Sequence, residues 1–424
     1  MTLRVPSKVP VILALLFLAG CIHVPNTGGK ECLYVTDVQH RSIQVFDAAS
    51  LQWLRAIPWK DRVLSEADAL RFEAAERPGP EDGSPMTGGG TGPDGGSRLM
   101  RWAPEALVVD AAGTLYGLSG DESPSFVIEI NPTTGQQRYF DILWPHAVSI
   151  VASADRVCAS YFNQGVWCID PVAGHLKMVE TAADAPLQMT RIEDGWEQAD
   201  TEWLEELQQS SRTDGQVLPM GSGCRLMTAD PAGNIWVSGS FHDEDPAIYR
   251  LDPQNFRLSG IVRFKTRGLE RADREILGLW SGAEGRVYVA VGNPLTTLLE
   301  LYTLDPRASR VRRAVAIPPP DGPDRTTGGI GDVIGNARYV FVARDRSISV
   351  YTTSGLEPVK ELAFPAVVGR LGLSADGSRL YVTLPAEHRI LALNALSSSI
   401  DQVREVLVEG SVDGMVVGAA SSSP

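Results

Sequence analysis

The sequence predicts an all-β fold, a seven-bladed β-propeller, because one short strand pattern recurs seven times along it. Each copy has an apolar residue, then usually an aromatic residue, then a small or β-branched residue. The seven copies are Leu33-Tyr34-Val35, Leu115-Tyr116-Gly117, Val157-Cys158-Ala159, Ile235-Trp236-Val237, Val287-Tyr288-Val289, Val340-Phe341-Val342 and Leu380-Tyr381-Val382. Self-similarity at a period of roughly 40–50 residues is typical of a propeller, in which each repeat forms one four-stranded blade.

Turn residues and strand ends repeat with the same spacing. A turn that contains Gly, Asp or Asn precedes the second strand of most blades. The third strand ends in Asp or Asn, which Pro follows at Asn131-Pro132, Asp170-Pro171, Asp252-Pro253 and Asp305-Pro306. Because Pro cannot donate to the strand ladder, it belongs where a strand ends. Blade six departs from this pattern, since its third strand closes with Val350-Tyr351-Thr352-Thr353.

The last blade has the most regular sequence. Its strands are predicted over residues 367–374, 379–384, 389–394 and 403–408, and Asp376-Gly377 is a strong hairpin signal between the first two. The string from Asp376 to Thr383 resembles the YVTN-type repeat of bacterial seven-bladed propellers, and Leu33-Tyr34-Val35-Thr36 matches it too. This resemblance implies the fold, but it identifies no ligand or reaction.

The two ends of the repeat region are expected to meet in blade one. This blade begins at its second strand, because only a short segment precedes Leu33. Residues 412–418, in contrast, have the pattern of an inner strand without a blade of its own. We expect this strand to complete blade one and so to close the ring, which removes an exposed sheet edge. The recurring aromatic residues are expected to pack between neighbouring blades.

Residues 1–20 are predicted to be a lipoprotein signal peptide. Arg4 and Lys8 form a short basic head, and the apolar run that follows is too short to span a membrane. Leu18-Ala19-Gly20-Cys21 resembles the lipobox of bacterial lipoproteins. The resemblance implies that Cys21 is acylated and that residues 21–31 form a tether in the cell envelope. Because Ile22, rather than Asp, follows Cys21, the resemblance favours the outer membrane over the inner membrane. The alternative is an ordinary secretory signal with a chance Cys.

Two insertions, residues 58–104 and 180–223, interrupt a propeller that is predicted to span residues 32–419. In the first, residues 65–77 predict a short helix and the Gly- and Pro-rich residues 78–97 predict disorder. In the second, residues 193–211 predict an amphipathic helix. This helix either covers the propeller or docks a partner.

The charge of the chain excludes two classes of partner. The formal net charge is −14 at pH 7, and removal of the signal peptide would make the chain still more acidic. A nucleic-acid surface needs clustered positive charge, and so does adhesion to anionic lipid headgroups. We therefore expect no nucleic acid, and contact with a membrane only through the lipid on Cys21.

The cysteines leave two questions open. Cys158 and Cys168 flank a predicted hairpin. A three-residue loop centred on Asn163 would place them opposite each other, where an exported protein could form a disulfide. A two-residue turn would instead put them on opposite faces of the sheet. Cys32 and Cys224 belong to blades one and four, and the sequence does not decide whether they pair.

The sequence contains no motif that identifies a catalytic residue, a metal ligand or a cofactor. None of the six histidines lies within four residues of another; they are His23, His40, His146, His175, His242 and His388. The acidic segment 242–245 is either a calcium ligand set or a solvated loop. Gly233-Asn234-Ile235-Trp236-Val237 resembles the repeats of sugar lactonases and of a lyase family with this fold, but their catalytic motifs find no match here.

The leading hypothesis is a lipid-anchored cell-envelope propeller that acts as a protein-binding scaffold, with an envelope protein as partner and no enzyme activity. One alternative is a lactonase-like or lyase-like envelope enzyme, and another is a surface carbohydrate-binding or adhesion module. The enzyme hypothesis requires ionisable groups of perturbed pKa at the mouth of the central channel. The scaffold hypothesis requires an exposed apolar or aromatic patch on the ring.

Overall fold

The computed structural model describes residues 30–60, 62–63, 99–100, 104–119, 126–141, 147–153, 156–161, 165–170, 175–178, 188–192, 225–241, 245–252, 257–264, 275–282, 284–292, 299–305, 310–317, 330–412 and 414–419. Cys21, Cys224 and both predicted helices lie outside these residues. The described part is all-β, with thirty-one strands and a single 3₁₀ turn at Pro385–Glu387. It contains no helix that is long and apolar enough to cross a membrane.

The strands are numbered along the chain. In blades one to three and the first insertion they are β1 (Glu31–Asp37), β2 (Ser42–Asp47), β3 (Trp53–Pro58), β4 (Arg62–Val63), β5 (Leu99–Met100), β6 (Pro104–Val109), β7 (Leu115–Ser119), β8 (Phe126–Ile130), β9 (Gln137–Asp141), β10 (Ala147–Ser153), β11 (Arg156–Tyr161), β12 (Gly165–Asp170) and β13 (His175–Met178). In the second insertion and blade four they are β14 (Gln188–Ile192), β15 (Met227–Ala229), β16 (Ile235–Phe241), β17 (Asp245–Asp252) and β18 (Arg257–Phe264). The remaining strands are β19 (Glu275–Ser281), β20 (Val287–Gly292), β21 (Leu299–Asp305), β22 (Arg310–Ile317), β23 (Ile330–Gly335), β24 (Tyr339–Arg344), β25 (Ser347–Thr352), β26 (Pro358–Ala363), β27 (Leu371–Leu373), β28 (Arg379–Leu384), β29 (Arg389–Asn394), β30 (Gln402–Leu407) and β31 (Met415–Ala419).

These strands form seven blades, as the repeat predicts. Blades two, three, five, six and seven are four-stranded antiparallel meanders of consecutive strands. In each blade the first strand lies innermost, and the inner strands of successive blades contact one another around the ring. The inner strands therefore line a central channel, and the fourth strand of each blade lies at the outside.

Blade one takes its inner strand from the far end of the repeat region. β31 pairs antiparallel with β1, so that Leu33 lies opposite Val417 and Tyr34 opposite Val416. The backbone N–H of Thr36 also donates to the Gly414 carbonyl over 2.9 Å. The sheet order is β31-β1-β2-β3, which is the order of the other four-stranded blades.

The described parts of the two insertions contain strands that the sequence did not predict. β4 and β5 pair with each other in a small two-stranded ribbon. β14 adds to the outside of blade four, where it pairs with β18. Among the described strands this is the only parallel pair, and it makes blade four five-stranded.

The inner strand of blade seven is shorter than the predicted residues 367–374. β27 covers Leu371–Leu373 alone, because the preceding residues make other hydrogen bonds. The N–H of Val368 donates to the Asp345 carbonyl over 2.7 Å, and the N–H of Gly369 donates to the Thr383 carbonyl over 2.9 Å. These residues therefore connect blade six to blade seven.

The recurring aromatic side chains pack between blades, as predicted. Most are at most 2% exposed; these are Tyr34, Trp236, Tyr288, Phe341 and Tyr381. Tyr381 of blade seven packs in one cluster with Leu33 and Val35 of blade one. Trp236 of blade four packs in another cluster with Val287 of blade five. Tyr116 differs, since it is only partly buried.

Polar groups on the same strands add a clamp between blades. Arg379 Nη1 and the Tyr381 hydroxyl of blade seven both donate to the carbonyl oxygen of Ala48 in blade one, over 3.3 and 2.7 Å. Arg286 and Tyr288 of blade five make the same two contacts with one turn carbonyl of blade six. Burial raises the pKa of Tyr381 to about 12, so its hydroxyl stays protonated and can donate.

Candidate functional site

One end of the ring, which we call the mouth, carries a set of buried polar side chains that hold the backbone between blades. At this end the second strand of each blade ends and its inner strand begins. Buried hydroxyl groups lie at the mouth end of the second strands; among them are Thr36, Ser160, Ser238 and Thr383. In blades four and seven, these hydroxyls fix the backbone where it enters the inner strand.

Arg225 lies at the mouth where blade four begins. The Ser238 hydroxyl oxygen accepts hydrogen bonds from the backbone N–H groups of Arg225, over 3.2 Å, and of Leu226, over 2.9 Å. The Arg225 side chain reaches the inner strand of blade five, where Nη1 donates to Glu275 Oε2 over 2.8 Å. The two side chains are 50% and 41% exposed, so this ion pair is open to solvent and contributes little stability.

Arg370 occupies the matching position in blade seven and is exposed. Thr383 Oγ1 accepts from the Arg370 N–H over 2.7 Å, and the Thr383 N–H donates to the Arg370 carbonyl over 3.1 Å. The neighbouring acid is Asp332 on the inner strand of blade six, whose carboxylate accepts from the N–H groups of Val333 (2.9 Å) and Leu371 (3.0 Å). Burial raises the pKa of Asp332, and the charge of Arg370 offsets part of that rise.

A second polar cluster lies at the mouth where blade seven joins blade one. Asp37 is fully buried, and its Oδ2 accepts from His40 Nδ1 over 2.8 Å. Its Oδ1 accepts from the backbone N–H of Ser411 over 3.2 Å. On the other side of the same peptide bond, the Gly410 carbonyl accepts from His388 Nδ1. This cluster holds the connection that leads to β31. Its hydrogen bonds compensate for the burial of the Asp37 carboxylate.

Exposed apolar side chains lie mainly around blades seven and one. Among the described residues, the large apolar side chains that are exposed are Val38, Trp53, Leu54, Val148, Val367, Leu396, Val403 and Leu407. Four of these lie on β3 and β30, the outer strands of the two neighbouring blades. Leu54 and Val403 are the extra residues of β-bulges, which turn them out of the regular ladder.

An open groove of about 440 Å³ separates the outer parts of blades six and seven. Its apolar lining includes Leu362, Phe364, Leu384, Leu391, Leu393 and Ile400. At its rim, Arg389 forms ion pairs with Glu405 over 3.3 Å and with Glu387 over 3.5 Å. These three rim groups, one arginine and two glutamates, carry a net charge of −1.

The structure contains a disulfide between Cys158 and Cys168. The two residues are direct partners in the β11–β12 register, in which Tyr161 also pairs with Gly165, so that three residues separate the paired strand ends. This is the first of the two alternatives that the sequence left open. Cys32 is buried and unpaired, while the acylation site expected at Cys21 lies outside the described residues.

No group of three or more His, Cys, Asp or Glu side chains within the described residues has the geometry of a metal site. Of the acidic segment 242–245, only Asp245 is described, at the start of β17. His40 and His388 do belong to the mouth, although sequence spacing gave no reason to group them.

The two mouth arginines belong to no motif that the sequence singles out. Arg225 and Arg370 each stand eleven residues before the aromatic residue of their blade, Trp236 or Tyr381, and each is followed by Leu. This shared spacing is the signal that could have found them. Their carboxylate neighbours could not be found in this way, because they come from adjacent blades.

Comparison with known proteins supports the fold and identifies no family. No protein-family model matches the sequence, and no curated protein matches it either. Among solved structures, the chain is similar to apo AztD from Citrobacter koseri, with a TM-score of 0.53 at 12% identity over 93% of this chain and 100% of that one. It is also similar to PpgL, the periplasmic gluconolactonase of Pseudomonas aeruginosa, with a TM-score of 0.56 at 12% identity over 92% and 99%. A third similar structure is Kuenenia stuttgartiensis hydrazine synthase, with a TM-score of 0.52 at 10% identity over 75% and 90%.

Proposed function

We propose that this protein is a lipid-anchored propeller of the bacterial cell envelope that acts as a protein-binding scaffold. The lipobox-like sequence at Cys21 supports the anchor and favours the outer membrane, and the similar PpgL is a periplasmic protein by name. The observation that carries the binding role is the set of exposed apolar side chains on the outer strands of blades one and seven, namely Trp53, Leu54, Val403 and Leu407.

Trp53 has the properties of a binding anchor. Its side chain is 54% exposed, and its indole N–H donates to Gln44 Oε1 over 2.8 Å, which holds the ring in one orientation. Leu407, on the neighbouring blade, is 67% exposed. Trp is enriched among the residues that dominate binding energy at protein interfaces, and an exposed Trp held in place is suited to such a role.

Site-specific photocrosslinking in intact cells tests the scaffold. A benzophenone amino acid placed at position 53 or 407 should crosslink to one discrete envelope protein. The matched control is position 138, an exposed residue on the outer strand of blade two, which should not crosslink to it. Equal crosslinking from all three positions, or none from 53 and 407, would contradict the proposal.

A lactonase-like activity is the second candidate, and Asp332 is the observation that favours it. This carboxylate lies at the channel mouth, its pKa is raised by burial, and a guanidinium charge acts on it. In a lactone hydrolysis, Asp332 would take a proton from the water that attacks the carbonyl carbon, and Arg370 would stabilise the oxyanion that forms on the carbonyl oxygen. Cleavage of the ring C–O bond, with a proton delivered to the departing oxygen, gives a hydroxy acid.

A hydrolysis assay with glucono-1,5-lactone tests this second candidate. Asp332→Asn should abolish turnover above the uncatalysed rate while the fold is retained. Asp376→Asn is the matched control, because Asp376 lies in an exposed turn at the opposite end of the ring. Hydrolysis that persists in Asp332→Asn, or that never exceeds the uncatalysed rate in the unmodified protein, would rule out this function.

A further inference from the structure

The mouth presents two arginines in the same structural setting on opposite sides of the ring. Arg225 and Arg370 both precede an inner strand, and in both cases a buried hydroxyl on the second strand accepts a hydrogen bond from the arginine backbone N–H. Ser238 and Thr383, which supply these hydroxyls, are each 1% exposed. The backbone of each arginine is therefore held firmly while its side chain extends into solvent at the mouth.

Each arginine is also placed beside one carboxylate of a neighbouring blade. Arg225 pairs with Glu275 of blade five over 2.8 Å. Leu371, which follows Arg370, donates its backbone N–H to Asp332 Oδ2 of blade six over 3.0 Å, and the charge of Arg370 acts on that carboxyl. A guanidinium presents five N–H donors in a planar fork that matches a carboxylate or phosphate group. At Arg225 the ion pair with Glu275 is exposed and contributes little stability, so an incoming anion can replace this resident acid at small cost.

We propose that the mouth binds small anions bearing a carboxylate or phosphate group at two separate sites, one at Arg225 and one at Arg370. Blades four and seven lie three steps apart in a ring of seven, so the two arginines belong to opposite sides of the ring and each is assigned its own site. In a chain of net charge −14, Glu275 cancels the local positive charge of Arg225. Binding then depends on directed hydrogen bonds rather than on long-range attraction. This inference requires neither the scaffold role nor any hydrolysis.

Titration calorimetry of the full chain tests the proposal, with sodium D-gluconate and inorganic phosphate as probes and D-glucose as the neutral control. We expect binding of an anion and none of glucose. Arg225→Gln and Arg370→Gln should each remove about half of the saturating heat, and the double variant should remove it all. Arg338→Gln, at the exposed turn on the opposite end of blade six, should leave the titration unchanged.

The Glu275→Gln variant should change the affinity in the opposite direction to the arginine variants. Removal of the resident acid should tighten the site at Arg225 several-fold, which a merely structural arginine would not do. Binding of gluconate alone would identify an organic acid as the ligand class, and binding of phosphate alone would identify a phosphate group. Titrations that are unaltered in the Arg225→Gln, Arg370→Gln double variant, or heat equal for glucose and gluconate, would overturn the proposal. Circular dichroism and thermal unfolding establish that each variant is folded.

Discussion

Gly410 lies directly against the buried carboxylate of Asp37. A Cβ atom added to Gly410 would lie 2.5 Å from Asp37 Oδ1, and the residue has a φ angle of 109°, which L side chains rarely adopt. Asp37 in turn accepts hydrogen bonds from His40 and from the backbone of Ser411. The connection from blade seven to the inner strand of blade one is thus built around a residue without a side chain.

Gly410→Ala should therefore destabilise the protein by more than about 2 kcal/mol, because it combines backbone strain with a clash against a buried carboxylate. Gly285→Ala is the matched control, since its φ is also positive, at 77°, but nothing lies within 4 Å of an added Cβ. It should cost only about 1 kcal/mol. Urea denaturation measures both values, and equal losses would contradict the packing at Gly410.

The clamp between blades seven and one can be tested at Tyr381. Tyr381→Phe removes the 2.7 Å hydrogen bond to the Ala48 carbonyl and should lower the free energy of unfolding by about 1 kcal/mol. The same change at Tyr288 should cost less, because its hydroxyl lies 3.3 Å from the Thr353 carbonyl. The two midpoints of chemical denaturation check this order; a larger loss at Tyr288 would reverse it.

The disulfide should contribute to stability through the unfolded chain. Replacement of both Cys158 and Cys168 by Ala should lower the free energy of unfolding by about 2–4 kcal/mol, since the bond restricts the unfolded ensemble. A reducing agent should produce a similar loss in the unmodified protein and none in the double variant. A reductant effect that survives in the double variant would show that another thiol pair is responsible.

The raised pKa of Asp332 predicts that the free energy of unfolding depends on pH. Because its folded-state pKa is raised, the protonated form favours folding, and this contribution is present below the ordinary pKa of 3.8 and is lost as pH rises through the folded-state value. Asp332→Asn does not titrate, so its stability relative to the unmodified protein should increase between about pH 3.5 and about pH 7. Urea denaturation at the two pH values gives the comparison.

Asp376 supplies the control of opposite sign. Burial raises its pKa somewhat, but hydrogen bonds from the Ser374 hydroxyl and from Ser378 outweigh this effect and lower the pKa of the carboxyl overall. Its stabilising contribution is therefore present above pH 3.8 and is lost as pH falls through the lowered value. Asp376→Asn should accordingly lose stability relative to the unmodified protein as pH rises. The same slope in both variants would contradict these assignments.

The predicted lipid anchor depends on a single thiol. Cys21→Ala should abolish metabolic labelling by an alkynyl fatty acid and should release the protein from the membrane fraction. Cys32→Ala is the control, because Cys32 is buried in β1 and should not affect labelling. Label that remains in Cys21→Ala would disprove the lipoprotein assignment.

Blade seven contains one segment that the sequence predicts correctly and one that it does not. Asp376-Gly377 and the strand that follows it are local features, and the structure has a turn and β28 at these positions. The start of the same blade was predicted incorrectly, because residues 367–370 have strand-like composition but bond to Asp345 and Thr383. Which partner a backbone N–H finds is decided by neighbouring elements and not by composition.

The sequence by itself determined the seven-bladed architecture, since each blade repeats the same local alternation of strands, turns and buried aromatic residues. It also placed Cys158 and Cys168 on one hairpin, where only the loop length remained open. The tertiary structure alone decided that Arg225 meets Glu275, that Arg370 lies near Asp332 and that Gly410 lies against Asp37. The physical reason is that periodicity is encoded over a few residues, whereas each of these pairs joins different blades and exists only once the ring has closed.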